Sequence, residues 1–370
     1  MRNSKDMKIL VLWADIESPN LGVRALALGA AALVRRTWPN AKLDFQSFGS
    51  GAAPFYVRER TLLKEIIRRS PEMRAWVTSY DLVIDMRWGD SFSDIYGLRR
   101  LVGMNAFAKI VSDAGTPIVL GPQTLGPFNS RVGRILAKRA AARYSKIIAR
   151  DIASANYGSE IGLRTPILGT DAVFAIPVPE ATKRRDVAVN VSGLLWNENT
   201  HVDHLRYQKS VISVCKELLR SGRDVTLFAH VLDSKKTDND VPAVMQARDQ
   251  IGDDVRFFIP DSLEDLRSFV AESELVIGAR MHACLNALSV GTPAIAMAYS
   301  RKFVPLLEGM GWERTVDLRG PDPVDDKILE ICNLRSQLDA EVSTVRGRVE
   351  PLLKATSEAL EGSVPAWRNR

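Results

Sequence analysis

Short runs of aliphatic and β-branched residues alternate with longer stretches of helical period along nearly the whole chain. That alternation constrains the fold more than any other feature, because strand–helix–strand repetition produces parallel sheets covered by helices. Lys8–Ala14 (KILVLWA) reads as the first strand, and Leu21–Thr37, rich in Ala and Leu, as the first helix. Leu43–Phe48, Asp81–Met86, Pro117–Gly121 and Lys146–Ala149 read as further strands, with a helix over Val132–Tyr144. Ile176–Asp186 (IPVPEATKRRD) carries two prolines and a basic run without periodicity and reads as a linker. After it the rhythm resumes with strands at Val187–Val191, Asp224–His230, Val255–Ile259, Glu274–Gly278 and Pro293–Ala298. The stretch from Asp325 to Gly362 reads as an amphipathic helical tail. A chain of 370 residues has the length of about two domains. The expectation is an α/β protein of two doubly wound Rossmann-like domains facing a cleft. The domains are 1–176 and 187–370, with the tail helix packing back on the first. Ligands are expected at the carboxyl ends of the strands.

Charge and cysteine usage narrow the function. The net charge is +6, from 50 basic against 44 acidic residues, and the surplus is scattered. A nucleic-acid partner is therefore not expected, since such proteins concentrate charge on one patch. Cys215, Cys284 and Cys332 fit no metal-site spacing and lie in apolar stretches, which predicts buried free thiols. No segment reaches the roughly 18 apolar residues of a membrane span. The expected location is the cytoplasm, with peripheral contact as the one route to a membrane. His201, Asp203 and His204 lack a convincing third ligand, so no metal is expected.

The segment with most chemistry is Glu274–Phe303, ELVIGARMHACLNALSVGTPAIAMAYSRKF. A buried strand runs into Arg280-Met281-His282, and a helix then starts and ends at Gly291. Arg280 and His282 thus fall at a strand's carboxyl end on a helix's first turn, where exposed N–H groups attract anions. The next strand delivers Tyr299, Ser300, Arg301 and Lys302 to the same edge, completing a candidate cradle for phosphate or carboxylate. The competing reading is that His282 caps or packs and that Arg301 and Lys302 are solvated.

These residues resemble the polysaccharide pyruvyl transferase family, whose second domain carries an R-x-H-x-x-x-x-A-x-x-x-G-x-P block. Here it stands as Arg280-Met281-His282, Ala287 and Gly291-Thr292-Pro293, followed by Tyr299-Ser300-Arg301-Lys302-Phe303. Asn20-Leu21-Gly22 resembles the family's N-x-G opening, and Arg87 to Gly97 (RWGDSFSDIYG) its glycine-rich loop ending in aspartate. Gly121 to Pro127, Ala149-Arg150-Asp151 and Gly169 to Phe174 resemble three further blocks. The resemblance spans about residues 7 to 315. Trp88-Gly89-Asp90 departs from the consecutive glycines of many members and narrows the loop's backbone freedom.

The resemblance implies a GT-B-like fold. Phosphoenolpyruvate would be the co-substrate, with no further cofactor, and a glycan or lipid-linked oligosaccharide the acceptor. The product would be a pyruvate ketal. It implies an acceptor side in the first domain, with Asp94 and Arg150, and a donor side in the second, with His282. His282 and Asp94 are the expected catalytic pair, as general acid and general base. Arg150, Arg280, Ser300, Arg301, Lys302, Asp90 and His230 are the expected substrate-binding set. Each has a structural alternative: Asp94 as a helix cap, Arg150 in a surface ion pair, Asp151 as an N-cap, Asp171 as a domain tie and His230 as a cap. Trp88 and Trp196 fit sugar stacking or core packing equally. Two other functions share the architecture: a GT-B glycosyltransferase using a nucleotide-sugar, and a non-catalytic member of a polysaccharide assembly complex.

Overall fold

The computed structural model describes residues 7–234 and 238–365. They divide into two compact units. The first holds the described residues up to Glu17, Leu26–Ile176 and those from Glu350 onward; the second holds Ser18–Ala25 and Pro177–Val349.

The first unit runs β1 (Lys8–Leu12), α1 (Leu21–Thr37, whose start up to Ala25 belongs to the second unit), β2 (Lys42–Gln46), α2 (Glu59–Arg68), α3 (Pro71–Thr78) and β3 (Leu82–Asp85). It continues through α4 (Leu98–Asp113), β4 (Ile118–Gln123), α5 (Arg131–Ala141), β5 (Lys146–Ala149), α6 (Ile152–Glu160) and β6 (Ile167–Leu168). Its sheet has the order β2-β1-β3-β4-β5-β6, and every pairing is parallel. Direction reverses between β1 and β3, which opens a crevice at their carboxyl ends. Strand residues buried on both faces, such as Leu10, Val83 and Leu120, read as continuous apolar runs for this reason. They join Phe107, Met104 and Tyr144 in the core.

The second unit also alternates strands and helices, with β7 (Arg185–Asn190), α7 (Gly193–Trp196), α8 (His204–Arg220), β8 (Val225–Phe228), α9 (Asp240–Ile251) and β9 (Arg256–Phe258). Then follow α10 (Leu263–Ala271), β10 (Ser273–Gly278), α11 (Met281–Ser289), β11 (Ala294–Ala298), α12 (Phe303–Gly309) and β12 (Thr315–Asp317). The chain closes with α13 (Val324–Cys332) and α14 (Arg335–Glu361). The sheet order is β12-β11-β10-β7-β8-β9, again parallel throughout. Here the switch point lies between β7 and β10.

Differences from the sequence reading are local. The first strand stops at Leu12 because Trp13 turns into the left-handed region at φ 56°. The expected linker loses its last two residues to β7, where Asp186 accepts a 2.6 Å bond from Arg223 Nε. β6 and β12, of two and three residues, are too short to show a period. The tail is two helices, parted at Asn333 and Leu334. All three cysteines are buried and unbridged, and burial pushes each thiol up to about 12. Among the described residues no helix is long and apolar enough to cross a membrane.

One buried carboxylate organises the carboxyl edge of the second sheet. Asp240, fully buried at the start of α9, accepts from Gly193 N at 2.8 Å and from His230 N and Val231 N at 3.0 Å each. It also accepts from Arg280 Nε at 3.1 Å and Nη2 at 2.6 Å. Asn190, at the end of β7, adds a second tie: its Oδ1 accepts from Arg280 N at 2.9 Å and its Nδ2 donates to Phe228 O at 3.2 Å. The loops after β7, β8 and β10 are therefore held in one network. Replacing Asp240 by Asn leaves the buried Arg280 without its countercharge, which costs about 3–5 kcal/mol in comparable pairs. Urea unfolding of Asp240→Asn is expected to show a loss of that order; a loss under about 1 kcal/mol would remove Asp240 from this role.

Candidate functional site

In the second unit β10 passes into α11 through Ala279 and Arg280 alone. Arg280 occupies the N-cap position without a side-chain cap bond. Its guanidinium turns inward to Asp240 and to Asp238 O, and only 9% of the residue is exposed. The structure therefore places Arg280 in an internal ion pair instead of an open anion cradle.

His282, one residue into α11, stands on the other side of this turn. Gly22 faces its ring so closely that an added Cβ would lie 2.8 Å from Nδ1 and 3.0 Å from Cγ. Gly22 N donates to Asn20 Oδ1 at 2.9 Å, and Leu21 N donates to His230 O at 3.2 Å. The first turn of α1 is thus docked on the histidine pair. Asn286, one turn further along α11, donates to His282 O at 2.7 Å and sits 3.5 Å from His230 Nε2. His230 itself is 1% exposed. Burial holds its imidazole well below its ordinary pKa, and the nearby His282 and Arg280 act in the same direction. His230, His282 and the N-x-G segment come together; the sequence placed only His282 and His230 in a site and gave no sign that Gly22 touches the ring.

The turn after β11 carries Tyr299, Ser300, Arg301 and Lys302. Tyr299 meets the rings of His201 and Phe303 edge-on, each at 5.4 Å. Ser300 Oγ is buried with no hydrogen-bond partner among the described residues, and Arg301 is exposed. His201 and His204 take no part in a metal cluster: among the described residues no three His, Cys, Asp or Glu side chains converge. Asp203 caps α8 through Leu205 N and Arg206 N.

In the first unit β3 and Met86 are followed by three consecutive left-handed residues, Arg87 (φ 42°), Trp88 (φ 50°) and Gly89 (φ 82°). Two are not glycine, so the turn is strained and needs support. Support comes from a buried network absent from the sequence reading. Arg87 Nε donates to Asp85 Oδ2 at 3.1 Å, Arg87 Nη2 to Tyr144 Oη at 2.6 Å, and Tyr144 Oη to Asp85 Oδ2 at 2.6 Å. Burial raises the Asp85 carboxyl; the Arg87 charge opposes this only in part. Beyond the turn, Gly89 leaves room for Arg150, whose Nη1 would lie 3.2 Å from an added Cβ. Arg150 donates from Nε to Thr124 Oγ1 at 3.0 Å and from Nη1 to Asp171 Oδ2 at 2.9 Å. It is 3% exposed and paired inside the unit, whereas Asp151 caps α6 through Ser154 N at 2.7 Å.

The remaining first-unit candidates separate. Asp94 does not cap α4, whose N-cap is Gly97. Its carboxylate accepts from Asn129 N and Ser130 N at 2.8 Å each and from Ser130 Oγ at 2.7 Å. Burial alone would raise this carboxyl, but the donors from Ser130 and Asn129 outweigh it and hold it below its usual range. Asp90 accepts from Tyr96 Oη at 2.7 Å, and the Arg100 guanidinium lies about equally over the Tyr96 and Trp88 rings, at 5.0 and 5.1 Å. Trp196 is buried and donates to Gln246 at 2.9 Å, so it packs in the core.

His230 yields a pH prediction. Its folded pKa is depressed, so the unfolded chain binds the extra proton below about pH 6.5. Stability contributed by the neutral ring is present above that value and is lost as pH falls, by at most about 1.4 kcal/mol per unit. Urea midpoints of wild type and His230→Gln measured at pH 5 and 7 should show a smaller pH slope in the variant; identical slopes would exclude a buried neutral His230.

Residues 20–301 match the profile of the polysaccharide pyruvyl transferase family. A curated relative, the amylovoran biosynthesis protein AmsJ of Erwinia amylovora, is 22% identical over 253 residues, covering 63% of this chain. The chain spans about 60% of AmsJ's length. Among solved structures, Anabaena Alr3699/HepE in complex with UDP and glucose superposes with a TM-score of 0.56 at 14% identity, covering 96% of this chain and 99% of that one. The UDP-GlcNAc 2-epimerase of Neisseria meningitidis, bound to UDP-GlcNAc, gives 0.58 at 10% identity, covering 96% and 100%. These structural likenesses establish a two-domain, GT-B-like α/β fold. With its profile matched over most of its length and its motif residues gathered at the strand ends, the chain belongs to the polysaccharide pyruvyl transferase family.

Proposed function

We infer that the protein transfers the pyruvyl group of phosphoenolpyruvate to a sugar of an exopolysaccharide or other cell-surface glycan, forming a pyruvate ketal. The observation that carries this reading is the His282 cluster. An imidazole stands at the start of α11 against Gly22, its main-chain carbonyl accepts from Asn286, and a second histidine kept neutral by burial lies nearby. Family membership and the exopolysaccharide-biosynthesis relative support a role in polysaccharide modification.

The reaction needs a proton at the methylene carbon of the enol, attack by two sugar hydroxyls at C2, and loss of phosphate. In the proposed course His282, as imidazolium, protonates the methylene carbon and leaves an oxocarbenium-like centre at C2. One hydroxyl oxygen bonds to C2 and sheds its proton, phosphate departs with its bonding pair, and the second hydroxyl closes the ketal. The two hydroxyl protons balance the one gained by carbon and the one carried off by phosphate. Arg301 and Lys302, on the turn after the strand next to β10, are the cations assigned to the donor's phosphate and carboxylate. Ser300 Oγ is assigned to donate to the same group. Arg280 acts through Asp240 as a positioning residue, since its charge is already matched.

Arg150 and Asp94 are reassigned within this reading. Arg150, paired with Asp171 and backed by Gly89, braces the strained turn that presents Trp88 and Asp90. Asp94 holds the start of α5; a carboxylate with three donors and a lowered pKa is a poor general base. Phosphoenolpyruvate arises in the cytoplasm, so the reading sets the reaction there.

A nucleotide-sugar glycosyltransferase remains the second reading, because the superposable HepE and epimerase structures hold UDP or a UDP-sugar. Thermal-shift titration separates the two: phosphoenolpyruvate is expected to raise the melting temperature, and a panel of UDP-sugars to leave it unchanged. Incubation with phosphoenolpyruvate and the producing cell's glycan intermediates should then add the mass of one pyruvyl group. His282→Ala is expected to lower turnover at least about 100-fold with the fold retained; near-normal turnover would remove the acid role. Gly22→Val, which crowds the same ring, should lower kcat with a smaller change in KM for phosphoenolpyruvate.

A further inference from the structure

The outer helical layer of the first unit carries a surface that its chemistry leaves unexplained. Right-handed crossovers from β2 to β3, β3 to β4 and β4 to β5 put α2, α4 and α5 on one face of the sheet. Both α2 and α5 pack against α4. On α2, Leu62 points inward, while Leu63 and Ile67, one turn apart, are 41% and 85% exposed. At helical spacing Arg60, Lys64 and Arg68 flank this pair on the outward face. The acidic residues of α2 are turned aside: Glu59 pairs with Arg99 at 3.7 Å, and Glu65 accepts from Ser70 N at 3.2 Å. The outward face of α5 repeats the pattern. Val132 and Ile135 are 54% and 44% exposed, Arg131, Lys138 and Arg139 surround them, and the helix has no acidic residue.

We propose that this face of the first unit docks on an anionic phospholipid bilayer. Isolated exposed apolar residues are ordinary, but two apolar pairs each flanked by cations that form no ion pair among the described residues are a patterned surface. A nucleic acid or an acidic glycan would engage the cations and leave Ile67 and Val132 in water. A bilayer takes both: the aliphatic side chains enter the headgroup–acyl boundary, and the Arg and Lys stems extend to lipid phosphates. Each cation near such a surface adds to the attraction, so the six together bind only where the lipid is negative. The inference uses no residue of the strand ends and stands apart from the pyruvyl-transfer reading.

The test is cosedimentation of the full-length protein with vesicles of phosphatidylcholine alone and of phosphatidylcholine mixed with phosphatidylglycerol. Binding is expected on the mixed vesicles and not on the neutral ones. The Leu63→Ser/Ile67→Ser variant, and separately Arg60→Gln/Lys64→Gln/Arg68→Gln, should each bind about tenfold more weakly or worse. Val132→Ser/Ile135→Ser serves as the independent check on α5 should the α2 variants lose their circular-dichroism signature. Equal binding to both vesicle types, or undiminished binding of the serine variants, overturns the proposal. So does the absence of vesicle binding in a protein that binds soluble dextran sulfate, which would make the face a polyanion site.

Discussion

The ion pair between Asp240 and Arg280 sits where three loops of the second sheet meet, and the arrangement of that edge depends on it. A charged carboxylate away from water is tolerated only when its lone pairs are filled. Asp240 fills them with main-chain donors from the loops after β7 and β8 and with the guanidinium that follows β10. The interaction thus ties together the loops that leave the paired carboxyl ends of β7, β8 and β10. His282 lies two residues after Arg280, so its placement is inherited from this network, and Gly22 then lies against the ring. Breaking one member leaves an uncompensated charge, which is why such a network holds one arrangement firmly.

The first unit meets the same demand with strain. Its β3 loop turns through left-handed conformations at Arg87 and Trp88, which non-glycine residues enter at a cost. The Asp85–Arg87–Tyr144 network holds the turn, and the Trp13 and Phe48 rings meet Trp88 at 6.2 and 5.9 Å. Backbone strain of this kind persists only when its surroundings over-determine it. Here the strained residues present Trp88 and Asp90 at the carboxyl end of the sheet, next to Tyr96 and Arg100. Two parallel sheets of different strand order thus position polar edges by different means, a saturated carboxylate in one and a braced, strained turn in the other.

Much of the fold was legible because its signals are local. Lys146–Ala149 and Asp224–His230 announced buried strands by apolar runs of strand length, and Gly291 marked the end of α11. β6 and β12 were invisible because two or three residues carry no period, and the tail's division at Asn333 hid inside one amphipathic pattern. Among site residues, His282 and His230 stood out as histidines at strand ends. Asp240 did not, because it closes an acidic loop and reads as one more solvated carboxylate or helix start. Asp94 and Arg150 were conspicuous in their motifs, yet both find partners inside the first unit, Ser130 and Asp171. Arg280 was conspicuous too, and its cradle role gave way to the pair with Asp240.

The sequence alone determined the parallel α/β architecture, the family and the strand-end location of the polar residues, because periodicity, turn chemistry and motif spacing act over a few residues. Which charges neutralise one another, which glycine must lack a side chain so that a histidine can sit against it, and which helical faces stay open were decided only by the tertiary structure. Those outcomes depend on the approach of segments far apart in the chain. The energy of a buried charge or a close contact is set by what long-range packing brings within a few ångströms, and no local pattern encodes that partner.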